Sequence, residues 1–126
     1  MKEQQQQIIE SYVHAYNQFD LEGMTKDLTD EVVFENVSNG NVDLRTEGLA
    51  QFKQQAASAK QYFKERKQSI TSWRFSESTV EINIDYHATL AMDLPNGLKS
   101  GDKLELTGTS VFEFADGKIK KITDKS

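Results

Sequence analysis

A chain of 126 residues, 37% hydrophobic and 28% charged, has the length and composition of one ordinary globular domain, so a single domain over 1–126 is expected. It has no cysteine, which excludes disulfides, thiol catalysis, zinc ribbons and iron–sulfur sites. The net charge is −5, with 15 basic residues interleaved among 20 acidic ones, so no concentrated basic face is offered to nucleic acid.

No apolar run approaches the ~20 residues that span a bilayer, and the opening MKEQQQQ lacks the apolar stretch of a signal peptide. The expectation is a cytoplasmic protein that engages no membrane and no nucleic acid.

Helical spacing governs the first part of the chain. Ile8, Ile9, Tyr12, Val13, Tyr16 and Phe19 recur at steps of one, three or four, which predicts a helix of about 16 residues. Asp20 reads as the N-cap of a short second helix, with Leu21, Met24 and Leu28 on its apolar side. The β-branched and aromatic stretch Glu31–Val37 predicts a strand, and Ser38-Asn39-Gly40-Asn41 a turn. A third helix is predicted from Thr46, its N-cap, to Phe63, burying Leu49, Phe52, Ala56, Ala59 and Phe63.

The period then changes from 3.6 to 2. Ser69–Phe75 is a predicted strand, followed by a turn at Ser76-Glu77-Ser78. From Val80 the alternation sends Ile82, Ile84, Tyr86, Ala88, Leu90 and Met92 to one face, and Glu81, Asn83, Asp85, His87 and Thr89 to the other. So long a strand is expected to be central and strongly curved. Pro95-Asn96-Gly97 ends it. Lys103–Phe114 alternates again, with Gly108 suited to a bend or bulge. Asp116-Gly117 predicts a two-residue type I′ hairpin into the last strand, Lys118–Thr123. There Ile119 and Ile122 have opposite parity, so either a bulge intervenes or both sheet faces are covered. Helices first and antiparallel strands after imply an α+β fold, with helices on one face of a bent sheet.

The stretches YVHAYNQFDLEGM (12–24), LTDEVVFENVSNG (28–40), TEGLAQF (46–52) and GTSVFEFADGKIKKITD (108–124) resemble the nuclear transport factor 2-like superfamily. That group includes SnoaL-like polyketide cyclases and ketosteroid isomerase. The resemblance implies a cone: a strongly curved mixed or antiparallel sheet wrapped around the N-terminal helices and open at one end to an apolar pocket. It also implies a homodimer through the outer sheet face, where Val111, Thr89, Thr107, Thr109 and Trp73 are read as lying.

Carried over residue by residue, the isomerase site matches at Tyr12 alone. Asn36 stands at the position of the general base and Ser110 at that of the protonated acid. An amide cannot abstract a carbon-bound proton, so steroid isomerase activity is rejected.

Tyr12, Tyr16, Asn36 and Ser110 remain as a polar set able to orient a carbonyl or hydroxyl ligand. Phe34, Phe52, Phe63, Trp73, Tyr86 and Phe112 are candidate apolar walls, each readable equally as plain core. Glu35 and Asp124 are the candidate acid–base residues. Glu81, Asp85 and His87 share a polar strand face, which reads as solvated or interfacial rather than as a metal site. Neither metal nor cofactor is expected, since no glycine-rich loop precedes a helix.

Two functions follow. One is a small-molecule protein holding an apolar compound in the cone, with or without isomerase, cyclase or hydrolase acid–base chemistry. The alternative is a dimerisation or interaction module whose cone is filled by its own side chains. A cavity of about 300 Å³ or more behind Tyr12, Asn36 and Tyr86 separates them.

Overall fold

The computed structural model describes residues 2–95 and 97–126. The chain runs α1 (Lys2–Asn17), α2 (Leu21–Thr25), β1 (Leu28–Ser38), β2 (Asn41–Glu47), α3 (Leu49–Lys60), β3 (Phe63–Phe75), β4 (Thr79–Leu90), β5 (Lys103–Ala115) and β6 (Lys118–Lys125). The strands form one six-stranded sheet in the order β2-β1-β6-β5-β4-β3. All neighbours are antiparallel except β1 and β6, which run parallel. This is the α+β class expected from the sequence. Register shifts at Asn36/Val37, Ile70/Ser72 and Glu113/Phe114 put an extra residue on one strand of a pair, which bends a sheet and curls it over the helices.

Helix α1 buries Ile9, Tyr12, Val13 and Ala15. It ends two residues before Phe19. Phe19 N–H bonds Tyr16 O and Asp20 N–H bonds Ala15 O, a Schellman closure with Phe19 itself in the left-handed region at φ 58°. Asp20 caps α2, its carboxylate accepting from Gly23 N–H at 3.1 Å. Leu28, assigned from sequence to the second helix, instead opens β1.

Strand β2 was not anticipated. Asn39 and Gly40 have φ of 53° and 81°, so the turn is a two-residue hairpin that brings Asn41–Glu47 back along β1. Thr46 consequently lies buried within β2, opposite Phe34, and Gly48 is the N-cap of α3. Phe63 likewise belongs to β3 and not to the third helix; β3 begins six residues before the expected Ser69.

The alternation of β4 holds: Val80, Ile82, Ile84, Ala88 and Leu90 are buried, and Asn83, Asp85 and His87 exposed. Two details differ. The strand lies one in from the β3 edge rather than at the centre, and Met92 falls beyond it, exposed. Of the Pro95-Asn96-Gly97 turn, Asn96 lies outside the described residues.

The Asp116-Gly117 turn has both φ values positive, 52° and 80°, as a type I′ hairpin requires. The parity conflict of Ile119 and Ile122 resolves as a bulge. Phe112 faces Ile122 and Phe114 faces Ile119, so β6 carries one extra residue and both isoleucines reach the same core. No shift occurs at Gly108, where pairing with Ile84 is regular. Its missing side chain serves close approach instead: a Cβ there would stand 3.0 Å from Lys125 O.

Candidate functional site

Three side chains from neighbouring strands stand in one row. Asn36 on β1 lies opposite Asp124 on β6, and Asp124 lies opposite Ser110 on β5. All three line a cavity of about 360 Å³ between the sheet, α1 and α3. Tyr12 and Tyr16, four residues apart and so stacked along one side of α1, form its helical wall. Phe52, Ala56 and Ala59 of α3 and Phe34 of β1 supply apolar surface, with Phe34 and Phe52 edge to face at 5.9 Å. Exposed Leu106, Lys125 and Ser126 mark the mouth.

Asp124 is the carboxyl in this row whose titration burial changes. Its carboxylate accepts the Ser110 hydroxyl at 2.7 Å. Burial pushes the carboxyl up to about 6, and the Ser110 hydrogen bond pulls the other way without restoring the ordinary value. The positions that carry Asn36 and Ser110 in place of the isomerase acids therefore flank a carboxyl delivered from the strand between them.

A second polar group lies at the other end of the cavity. Tyr16 donates to the Tyr86 hydroxyl at 3.1 Å, and Gln68 and Arg66 of β3 complete the wall. Burial holds the Tyr12, Tyr16 and Tyr86 hydroxyls above the usual phenol range, while the Arg66 charge acts oppositely on all three. The Asp124 charge raises the Tyr12 and Tyr16 hydroxyls further. The strand register sets the two polar groups apart: Tyr86 pairs with Leu106, four residues along β5 from the Ser110 that pairs with Asp124.

Of the candidates read from sequence, Tyr12, Tyr16, Phe34, Asn36, Phe52, Phe63, Tyr86, Ser110 and Asp124 come together around this cavity. Three do not. Phe112 is buried beneath the floor, edge-on to Tyr12 at 5.7 Å. Trp73 pairs with Ile82, so it faces inward rather than onto the outer sheet face, and it stacks on Phe75 at 5.6 Å away from the cavity. Glu35 has the opposite parity to Phe34 and Asn36, and its carboxylate is ion-paired with Arg45 and, at 3.5 Å, with Lys121. Asp85 and His87 lie exposed on the outer face, where Glu81 pairs with Arg74 at 2.8 Å and His87 approaches Glu105 at 3.9 Å. Among the described residues no three acids and histidines cluster as metal ligands would.

Arg66 and Gln68 escaped the sequence reading although their signal was present. They continue the alternate-residue series of Ile70 upstream, beyond where the strand was thought to begin.

The family model described as a SnoaL-like domain matches residues 9–122. The chain belongs to the SnoaL-like family. No curated protein matches this SnoaL-like chain in sequence. Among solved structures it is similar to a Xanthomonas campestris protein described as "a putative polyketide cyclase", at 20% identity and TM-score 0.83, covering 98% of this chain and 90% of that one. It is similar also to AclR of Streptomyces galilaeus, described as "a putative hydroxylase", at 21% identity and TM-score 0.77, covering 98% and 88%. A third is TerC, co-crystallised with polyporic acid, at 16% identity and TM-score 0.74, covering 94% and 87%. At these identities the likeness shows a shared fold.

Proposed function

We propose that this SnoaL-like domain binds a small, mainly apolar molecule bearing a carbonyl or hydroxyl oxygen, and that Asp124 exchanges a proton with it. The observation that carries this reading is a carboxyl with its pKa near 6, hydrogen-bonded to Ser110 inside an otherwise apolar cavity. A carboxyl so tuned is mostly ionised at neutral pH yet basic enough to take a proton in a transition state. In the simplest step the carboxylate removes a proton from a carbon beside a carbonyl. The C–H electron pair becomes the C=C bond as the carbonyl π pair moves onto its oxygen, and a tyrosine hydroxyl donates to the resulting enolate. Isomerisation, ring closure and hydrolysis all draw on this acid–base chemistry. The description of one structural neighbour as a putative polyketide cyclase is in keeping with it.

The open volume weighs against a cone filled by its own side chains. The test is a thermal-shift panel of apolar ketones and phenols against the wild type and Ala56→Trp, which fills the cavity from α3. Stabilisation by some compounds, lost in the filled variant, is expected. No stabilisation across the panel contradicts the reading.

The proposal extends to a homodimer through the outer sheet face. Its support is a polar ladder there, in which Thr109 donates to Asn83 at 3.0 Å and Asn83 to Ser72 at 2.9 Å. A monomer by light scattering at about 100 μM, where weak association shows, contradicts it.

A further inference from the structure

Arg66 is 6% exposed, and no carboxylate lies within ion-pairing distance of it among the described residues. Burying an unpaired guanidinium is costly, and large proteins and small ones alike normally pair such a charge. Here its Nε–H is satisfied by Tyr16 O at 3.0 Å, and its plane is held 3.7 Å over the Tyr16 ring and 4.4 Å over that of Phe19. Phe19 occupies its place at the expense of a left-handed backbone, a conformation costing a bulky residue ~1–2 kcal/mol. Strain of this kind persists where the surroundings fix it, and it concentrates at functional sites. Both rings pack against the guanidinium, and its remaining N–H groups make no hydrogen bond to protein among the described residues while keeping access to open space.

Arg66 also lines the cavity, beside Gln68 and Tyr86. Tyr86 accepts its hydrogen bond from Tyr16, so its own proton is free to be donated. A fixed positive charge and a free hydroxyl donor thus converge at one end, while Asp124 holds the other. The remaining charged lining residue, Lys125, is exposed at the rim.

From this we infer that the Arg66–Tyr16–Tyr86 end of the cavity recognises an anionic oxygen, so that the ligand is an apolar ring compound carrying a carboxylate or a comparably acidic enol. The inference rests on the small-molecule reading above and names the chemical class for that same cavity. Tyr86 makes the hydrogen bond to the anion. Arg66 supplies the charge and fixes Tyr16, and through it Tyr86.

The test is a charged and a neutral probe on the same ring, naphthoic acid and its methyl ester, titrated by calorimetry near neutral pH into the wild type, Arg66→Met, Arg66→Lys and Tyr86→Phe. The wild type is expected to prefer the acid by about tenfold or more, the scale of one charge-assisted hydrogen bond. Arg66→Met should lose that preference while keeping its affinity for the ester, and Arg66→Lys should retain part of it. A purely structural role would weaken both probes alike. Should Arg66→Met not fold, Tyr86→Phe carries the test, with the acid preference reduced and the ester unaffected. Equal binding of acid and ester by the wild type overturns the anion assignment and leaves the cavity reading standing. Binding of neither overturns both.

Discussion

The Ser110 hydroxyl donates to an Asp124 carboxylate oxygen at 2.7 Å, across the seam where β5 and β6 pair residue against residue. This bond stabilises the ionised carboxyl, against the burial that raises its pKa to about 6. Removing the donor leaves burial unopposed. Ser110→Ala is expected to move the Asp124 midpoint upward in a carboxyl-carbon NMR titration. An unchanged or lowered midpoint contradicts the arrangement.

Asp124 also links stability to pH. Its carboxyl binds a proton more tightly in the folded chain, about 6, than at the ordinary value of 3.8. Between those values the native state holds more protons than the unfolded one, so this group's contribution is full in acid and is lost as pH rises through about 6. Asp124→Asn lacks the titration. Relative to wild type, the variant should gain roughly 2–3 kcal/mol on going from about pH 4 to about pH 8. Chemical denaturation at both pH values checks this, and a constant difference contradicts it.

Gly108 holds the rim of the cavity through contact rather than through a turn. A Cβ at this position would stand 3.0 Å from Lys125 O, a backbone atom that moves only with the end of β6. Gly108→Ala is therefore expected to destabilise the fold by ~1–3 kcal/mol and to shift the NMR resonances of Asp124. A neutral substitution means that β6 ends more loosely than its pairing suggests.

Floor and wall are distinguishable by mutation. Phe112 is 1% exposed and packs against Tyr12, so Phe112→Ala should cost ~3–5 kcal/mol. Phe63 faces the cavity beside Tyr86, partly exposed, with a ring separation of 6.4 Å. Its truncation opens onto existing space and should cost less than about 2 kcal/mol while changing ligand affinity. Equal costs in thermal or denaturant unfolding contradict the division.

Much of the fold was legible because its signals were local. The two-residue period of β4, the positive φ demanded by Asp116-Gly117 and the carboxyl cap at Asp20 each lie within a few residues. What was missed depended on pairing across the chain. Asn39-Gly40 carries the same hairpin chemistry as Asp116-Gly117, but the strand it introduces, Asn41–Glu47, is mostly exposed and shows little apolar alternation. Asp124 shares parity with Ile122, which pointed inward, yet only the parallel pairing of β1 with β6 brings it beside Asn36. Trp73 was read onto the wrong face, and Glu35, offered as an acid–base candidate, lies on the face away from the cavity. A single residue's shift in parity sends a side chain to the opposite side of the sheet.

The central claim, that Asp124 moves a proton on a carbon acid held in the cavity, is tested most directly by exchange in heavy water. β-Tetralone incubated with the protein should exchange its acidic carbon-bound protons for deuterium at least about 100-fold faster than in buffer, with Asp124→Asn returning the rate to the buffer value. Equal rates for wild type and Asp124→Asn would contradict the claim.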